Sequence, residues 1–368
     1  MSAVTALAGG VFGAAGDDSE LRELVDDIGS KSADVRQGHR MRPDELDEAL
    51  WANLEETGLT RLTSTPDLGA GPVELAIVLR GIARHAGAVP LAETDLLAAW
   101  LAERAALDVP QAGPLTVAIA RAEVMSGRLV GTAWDVPWSR AASDNGGLLL
   151  AARTDDGLHV GLLPDPNITD RQNLAGEPRD SVAFDVATEQ FVQVDTAVGD
   201  ELIRRGAWAR CVQTIGALDA AATLSVAYTQ ERVQFGRSLS KFQSVQHSLS
   251  ELAGELERAR AAVTLAVAAA ADHGFDSAQT DYAVTVAKVV VGRVANPVTT
   301  IAHQLHGAIG VTIEHQLWLS TMRALSWIDE FGSTGHYARR LGRAAIAASR
   351  SEGGAWDLLI GNDLRDWG

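Results

Sequence analysis

The chain has 368 residues, 46% of them hydrophobic, enough to bury a sizeable core and to hold two or three packed units. Its 31 basic and 48 acidic residues leave a formal charge of −17, which repels a phosphate backbone and anionic lipid, so neither nucleic acid nor a membrane surface is expected as a partner. Cys211 is the single cysteine, which excludes an intrachain disulfide and a cysteine-built metal site and points to a reducing, cytoplasmic compartment.

In chain order, Met1 to Gly16 is small and apolar but has no Lys or Arg ahead of the apolar stretch, so it reads as a frayed start rather than a signal peptide. From Leu21 to about Leu107 the pattern is helical, with Leu46, Leu50 and Leu54 at three-to-four spacing, and residues 1–112 are expected to form a helical N-terminal domain. The character changes from Pro114 to Asp195. Thr116 to Ala120, Gly147 to Ala152 and Leu158 to Leu163 are short β-type runs, with Asp155-Asp156-Gly157 as a hairpin turn, which predicts a small β-domain over 113–197. Helical periodicity then returns, with Val212, Ile215, Leu218, Ala222 and Val226 on one face, followed by Leu249, Leu252 and Leu256, then Tyr282, Val286 and Val289. Alanine-rich helices with short breaks over 198–368 imply a four-helix bundle. Ala261 to Ala271 is the longest apolar run and is too short to span a bilayer. The fold class expected is therefore mainly α with a small central β-domain.

Two stretches could carry chemistry. In Arg232-Val-Gln234-Phe235-Gly236-Arg-Ser-Leu-Ser-Lys-Phe242-Gln243, a helix bearing Tyr228 and Arg232 is predicted to stop with Gly236 as its cap. Arg232 offers a planar fork of donors suited to a diphosphate, and Phe235 and Phe242 offer flat surfaces to a heterocycle; an Arg that only complements a helix dipole and Phe residues that only fill a core are the plainer alternatives. In Gln304-Leu305-His306-Gly307-Ala308-Ile309-Gly310-Val-Thr312, closely spaced glycines let backbone approach a ligand, and Gln304 can donate and accept at its edge. The stretch is neither a Walker loop nor a dinucleotide fingerprint. With no Glu-x-x-His pair, a di-iron bundle is not expected, and no metal site is assigned.

Together these stretches resemble the C-terminal domain of the acyl-CoA dehydrogenase family. Tyr228, Arg232, Phe235, Gly236, Leu239, Phe242, Gln243 and Gln246 match its first signature, and Gln304, Gly307, Gly310, Thr312 and Glu314 match its second. The resemblance implies FAD shared between two subunits, with Arg232, Gln234 and Phe235 on the pyrophosphate side, Gln304 and Gly307 closing over the same half, and Gly236, Phe242, Gln243 and Leu305 also among the cofactor-binding residues. Ala308 stands where a second glycine is usual.

The other half departs from the family. Its Thr-Glu-Pro and Gly-Ser-Asp loop has no room between Thr116 and Val130, and its flavin-covering segment appears as Gly131-Thr-Ala-Trp134, where Trp134 is a remnant or part of the β-domain core. The family's chemistry is α,β-dehydrogenation of an acyl-CoA, with a Glu taking the α-proton while the β-hydrogen leaves as hydride to the flavin. One usual place for that Glu holds Gly332 here, with Asp329 and Glu330 nearby but out of register; the other holds Gly206, and Glu201 lies too far upstream. The pattern resembles the non-basic subunit of actinobacterial α2β2 acyl-CoA dehydrogenases, several of which act on steroid side-chain CoA esters. The expectation is a chain that completes the FAD site of an acyl-CoA dehydrogenase-like partner, which supplies the base. The alternatives are a homotetramer using Glu330, and a flavin-free acyl-CoA-binding or scaffold protein.

Overall fold

The computed structural model describes residues 18–36, 44–65, 68–312 and 315–350, together with Trp356, Leu358, Leu364 and Trp367. Met1 to Gly16 and Glu314 therefore lie outside the described residues, and the expectations placed on them have no structural counterpart. In chain order the helices are α1 (Ser19–Arg36), α2 (Glu48–Glu56), α3 (Pro72–Arg84), a π-helical segment (Ala92–Ala99) running into α4 (Trp100–Arg104), α5 (Ser139–Asp144), α6 (Thr196–Glu231), α7 (Gln243–His273), α8 (Ala278–His306), α9 (Leu317–Trp327) and α10 (Thr334–Ala348). The strands are β1 (Thr116–Met125), β2 (Arg128–Pro137), β3 (Leu148–Thr154), β4 (Gly157–Leu162), β5 (Asn167–Thr169), β6 (Arg179–Ala187) and β7 (Val192–Val194), with a two-stranded ribbon of β8 (Val233–Gln234) and β9 (Arg237–Ser238). The chain is mainly helical with a central mixed sheet.

Packing sorts these elements into two units that interleave along the chain: one within 1–38, 72–86 and 207–368, the other within 39–71 and 87–206. In the second unit the sheet order is β5-β6-β2-β1-β3-β4-β7, antiparallel except for the β1/β3 pair. Its core is built from alternate residues of several strands, among them Ala118, Leu129, Leu148, Leu150, Val182 and Phe184. The predicted Asp155-Asp156-Gly157 turn is the β3–β4 hairpin, with Thr154 opposite Gly157. β2, β5, β6 and β7 lie outside the runs that periodicity reveals: β5 and β7 are three residues long, and small and charged residues interrupt the apolar alternation of β2 and β6.

In the first unit α8 packs along α7, α9 and α10. Alanines that recur on one helix face (Ala259, Ala262, Ala266 and Ala270 of α7; Ala283, Ala287, Ala295 and Ala302 of α8) are all buried, and their small side chains let the helix backbones approach closely. Ser277 caps α8 by accepting from the Thr280 amide (3.2 Å). Gly216 of α6 lies so near α3 that a Cβ would sit 2.2 Å from the Arg80 carbonyl oxygen. Beside it Asp219 accepts from Arg80 Nε (2.6 Å) and Arg260 Nε (3.1 Å), so its buried carboxylate is compensated from two helices.

Candidate functional site

Helix α6 ends at Glu231, not at the glycine predicted to cap it. Arg232 follows the last helical residue and its amide still donates to the Tyr228 carbonyl (2.9 Å). The chain then makes the β8–β9 ribbon, in which Gln234 faces Arg237 and the two turn residues, Phe235 (φ 54°) and Gly236 (φ 79°), are both left-handed. Gly236 is thus the second residue of a mirror-image tight turn, the geometry that matches strand twist in two-residue hairpins. The Leu239 amide donates to the Arg232 carbonyl (2.9 Å), closing the base of this ribbon, and α7 starts at Gln243.

The second stretch lies at the end of α8. Gly307 is its C-cap, at φ 63°, and a Cβ there would meet nothing within 4 Å. Gln304, Gly307 and Ala308 are exposed, Leu305 is half-buried and Gly310 is buried. The two stretches meet through their aromatic rings: Tyr228 stacks on His306 at 4.6 Å, and His315 lies edge-on to both. His306 Nδ1 donates to the Ala302 carbonyl (2.8 Å), and burial holds its pKa below the usual value. His303 is likewise lowered by burial, with Nε2 at 2.9 Å from the Thr321 hydroxyl.

Arg232, Gln234, Phe235, Gly236 and Gln243 are all exposed, and Phe235 is 91% so. No hydrogen bond or ion pair to a described residue engages the side chains of Arg232, Gln234, Gln243 or Gln304. A guanidinium and three amides without partners among the described residues, beside an open glycine turn, form a donor set whose chemistry suits an anionic diphosphate and the edge of a purine.

The loop at one usual position of the family's base is organised differently. Arg210, buried in α6, donates from Nε to the Glu330 carboxylate and from Nη1 to Gln213 Oε1, both at 2.6 Å. Lys288 of α8 donates from Nζ to the Ile328 and Glu330 carbonyls, both at 2.8 Å, while burial pushes its pKa down. Beside it burial drives the Cys211 thiol up to about 12, so that this sulfur is an inert core group. The Tyr337 hydroxyl donates to the Phe331 carbonyl (2.8 Å). Phe331 (φ 54°) and Gly332 (φ 107°) both have positive φ, and a Cβ on Gly332 would sit 2.8 Å from the Tyr337 ring. Sequence reasoning missed Arg210 and Lys288, although each is a lone cation inside an apolar helical run, which is the available signal for a buried partner.

In the β-sheet unit, β1 and β2 are joined by Ser126 and Gly127 alone, so the strands run through the place where the family loop was sought. Trp134 is not core. It is 61% exposed beside a β-bulge between Ala133 and Val136, with the Arg171 guanidinium 5.3 Å from its ring centre. Gly206 and Glu201 are buried in α6, and Glu201 is paired with Arg205 (2.8 Å). Among the described residues no group of three or more potential ligands could hold a metal ion, and no helix is long and apolar enough to cross a membrane.

Residues 198–345 match the family model described as acyl-CoA dehydrogenase, C-terminal domain. The chain is 28% identical over 333 residues to the acyl-CoA dehydrogenase IpdE2 of Mycolicibacterium smegmatis, covering 87% of this chain and 96% of that protein. A shorter stretch of 103 residues is 44% identical to the probable acyl-CoA dehydrogenase FadE25 of Mycobacterium tuberculosis, 27% of this chain and 24% of that one. Among solved structures, the ChsE4-ChsE5 complex of Mycobacterium tuberculosis contains a similar chain with a TM-score of 0.77 at 22% identity, covering 90% of this chain and 98% of that one. The Tcur3481-Tcur3483 steroid acyl-CoA dehydrogenase gives 0.75 at 23% identity, over 90% and 98%.

Proposed function

We propose, from the match of residues 198–345 to the acyl-CoA dehydrogenase C-terminal domain, that this chain is the subunit of an FAD-dependent acyl-CoA dehydrogenase that completes a partner's cofactor site without supplying the catalytic base. The observation that carries the proposal is the contrast in side-chain partnership. Arg232, Gln234, Gln243 and Gln304 are exposed and their side chains have no partner among the described residues, whereas the carboxylate nearest the base position, Glu330, is held by Arg210 at 2.6 Å. Arg232 and the Gly307 turn would hold the diphosphate half of FAD, and Phe235 would cover its flank. FAD supplies the hydride acceptor for α,β-dehydrogenation, and a glutamate of the partner removes the α-proton.

The relatives support an unlike partner. Two structures of similar fold are pairs of differently named chains, and one is named a steroid enzyme. The substrate class proposed is accordingly an acyl-CoA thioester on a steroid side chain, handled in the cytoplasm by an α2β2 assembly.

The test is bound FAD per chain, from flavin absorbance and protein mass, for this protein alone and co-expressed with an acyl-CoA dehydrogenase-like subunit encoded beside it. The expected result is little flavin alone and one FAD per pair of unlike chains, lost on Arg232→Ala. One FAD per chain in the protein alone would sink the proposal.

A further inference from the structure

A ribbon with two residues per strand is not stable in water by itself. β8–β9 is such a ribbon, its turn carries Phe235 at a left-handed φ of 54°, and that ring is 91% exposed. A bulky residue at positive φ and an aromatic ring in solvent are both unfavourable. Something outside the strand pair therefore holds the ribbon in shape. The Arg237 guanidinium lies 4.1 Å from the centre of the Phe242 ring, and Phe242 meets Phe235 edge to face at 6.2 Å and 81°. No carboxylate among the described residues pairs with Arg237, so its charge is directed to the ring rather than to an ion partner. The outer end of the stack is fixed to α7, where Gln246 Nε2 donates to the Ser240 carbonyl (3.1 Å).

We propose that Arg237 is a positioning residue for the FAD site: stacked on Phe242, it holds Phe242 against Phe235 and so preforms the ribbon that presents Arg232 and Gln234. This rests on the functional reading above. A ribbon already in its bound shape loses less conformational freedom when cofactor and partner arrive, which raises affinity without any new contact. Arg237 need not touch FAD to do this.

The experiment compares Arg237→Gln and Arg237→Lys, each also in a Phe242→Leu background. In the full chain alone, NMR of labelled phenylalanine should show the ring-current displacement of Phe235 and Phe242 collapsing in Arg237→Gln and largely kept in Arg237→Lys. In the co-expressed complex, the FAD Kd should rise roughly two- to fivefold for Arg237→Gln, the size of an exposed cation–π contact, and less for Arg237→Lys. With Phe242→Leu already present, Arg237→Gln should add nothing. An equal loss in both backgrounds would mean that Arg237 acts on FAD directly and overturns the positioning role, as would unchanged phenylalanine spectra. A complex that binds no FAD while the spectra still respond to Arg237→Gln would overturn the functional reading and leave the stack a structural feature only.

Discussion

Arg210 lies inside α6 and Arg232 just past its last residue, yet the protein treats the two guanidiniums in opposite ways. Arg210 is buried and saturated: Glu330 and Gln213 take its donors, Lys288 caps two carbonyls of the same loop, and Tyr337 takes a third. Arg232 is exposed, with no described partner for its side chain. A saturated polar network stabilises and fixes a shape, whereas an unsatisfied exposed one costs little in water and keeps its donors available. The difference separates a loop locked by its own contacts from an exposed donor set left open to a ligand.

The sharpest way to break that comparison is to open the saturated side. Arg210→Leu takes from the Glu330 carboxylate, only 17% exposed, the guanidinium that donates to it at 2.6 Å. Breaking a buried pair from one side costs about 3–5 kcal/mol, so a drop of that order in unfolding free energy is expected from denaturant titration. A loss below about 1 kcal/mol would show that the loop is not locked by this pair. Gly332→Ala comes next. It places a Cβ 2.8 Å from the Tyr337 ring at φ 107°, and strain and overpacking together should cost about 2–4 kcal/mol. By the same geometry Gly332→Glu should not recreate a base in this chain, which an assay of the flavin-loaded complex carrying a Glu→Gln change at the partner's base, with an artificial electron acceptor, would check.

A smaller effect is expected where the two motifs meet. Burial lowers the pKa of His306 and His303, so on acidification the unfolded chain takes up protons before the folded one does. Stability should therefore be full above the unfolded value of about 6.5 and fall as pH drops below it toward the depressed folded values. His306→Phe keeps a ring for Tyr228 to stack on and should flatten that slope. If thermal unfolding between pH 7 and pH 5 shows the same slope in the variant, His306 is not its source.

Much of the fold was legible because its signals are local. Alanine spacing in α7 and α8 and the Asp155-Asp156-Gly157 turn each report the geometry of the backbone that carries them. The placement of Gly236 was misread for a physical reason: glycine serves equally as a helix cap and as the second residue of a tight hairpin turn, and only the pairing of Gln234 with Arg237 distinguishes them. Trp134 was open to the same kind of error, since a bulge rather than strand alternation sets its direction. The Arg210–Glu330 pair joins residues 120 positions apart, and no spacing rule reaches that far.

The smallest effect on stability should accompany one of the larger effects on function. Asn-Gly is the favoured sequence for the mirror-image turn that Phe235 and Gly236 form, because asparagine tolerates positive φ better than phenylalanine does. Phe235→Asn also removes an exposed aromatic ring from water. The lone chain should therefore unfold within about 0.5 kcal/mol of the original, the range of an ordinary surface change. If Phe235 were present only to make the turn, nothing else would change. If it is retained against both turn preference and exposure because a partner and its cofactor cover it, the same variant should form a complex that retains less FAD. Flavin content of the purified complex decides between the two, and unaltered content would place Phe235 outside the shared site.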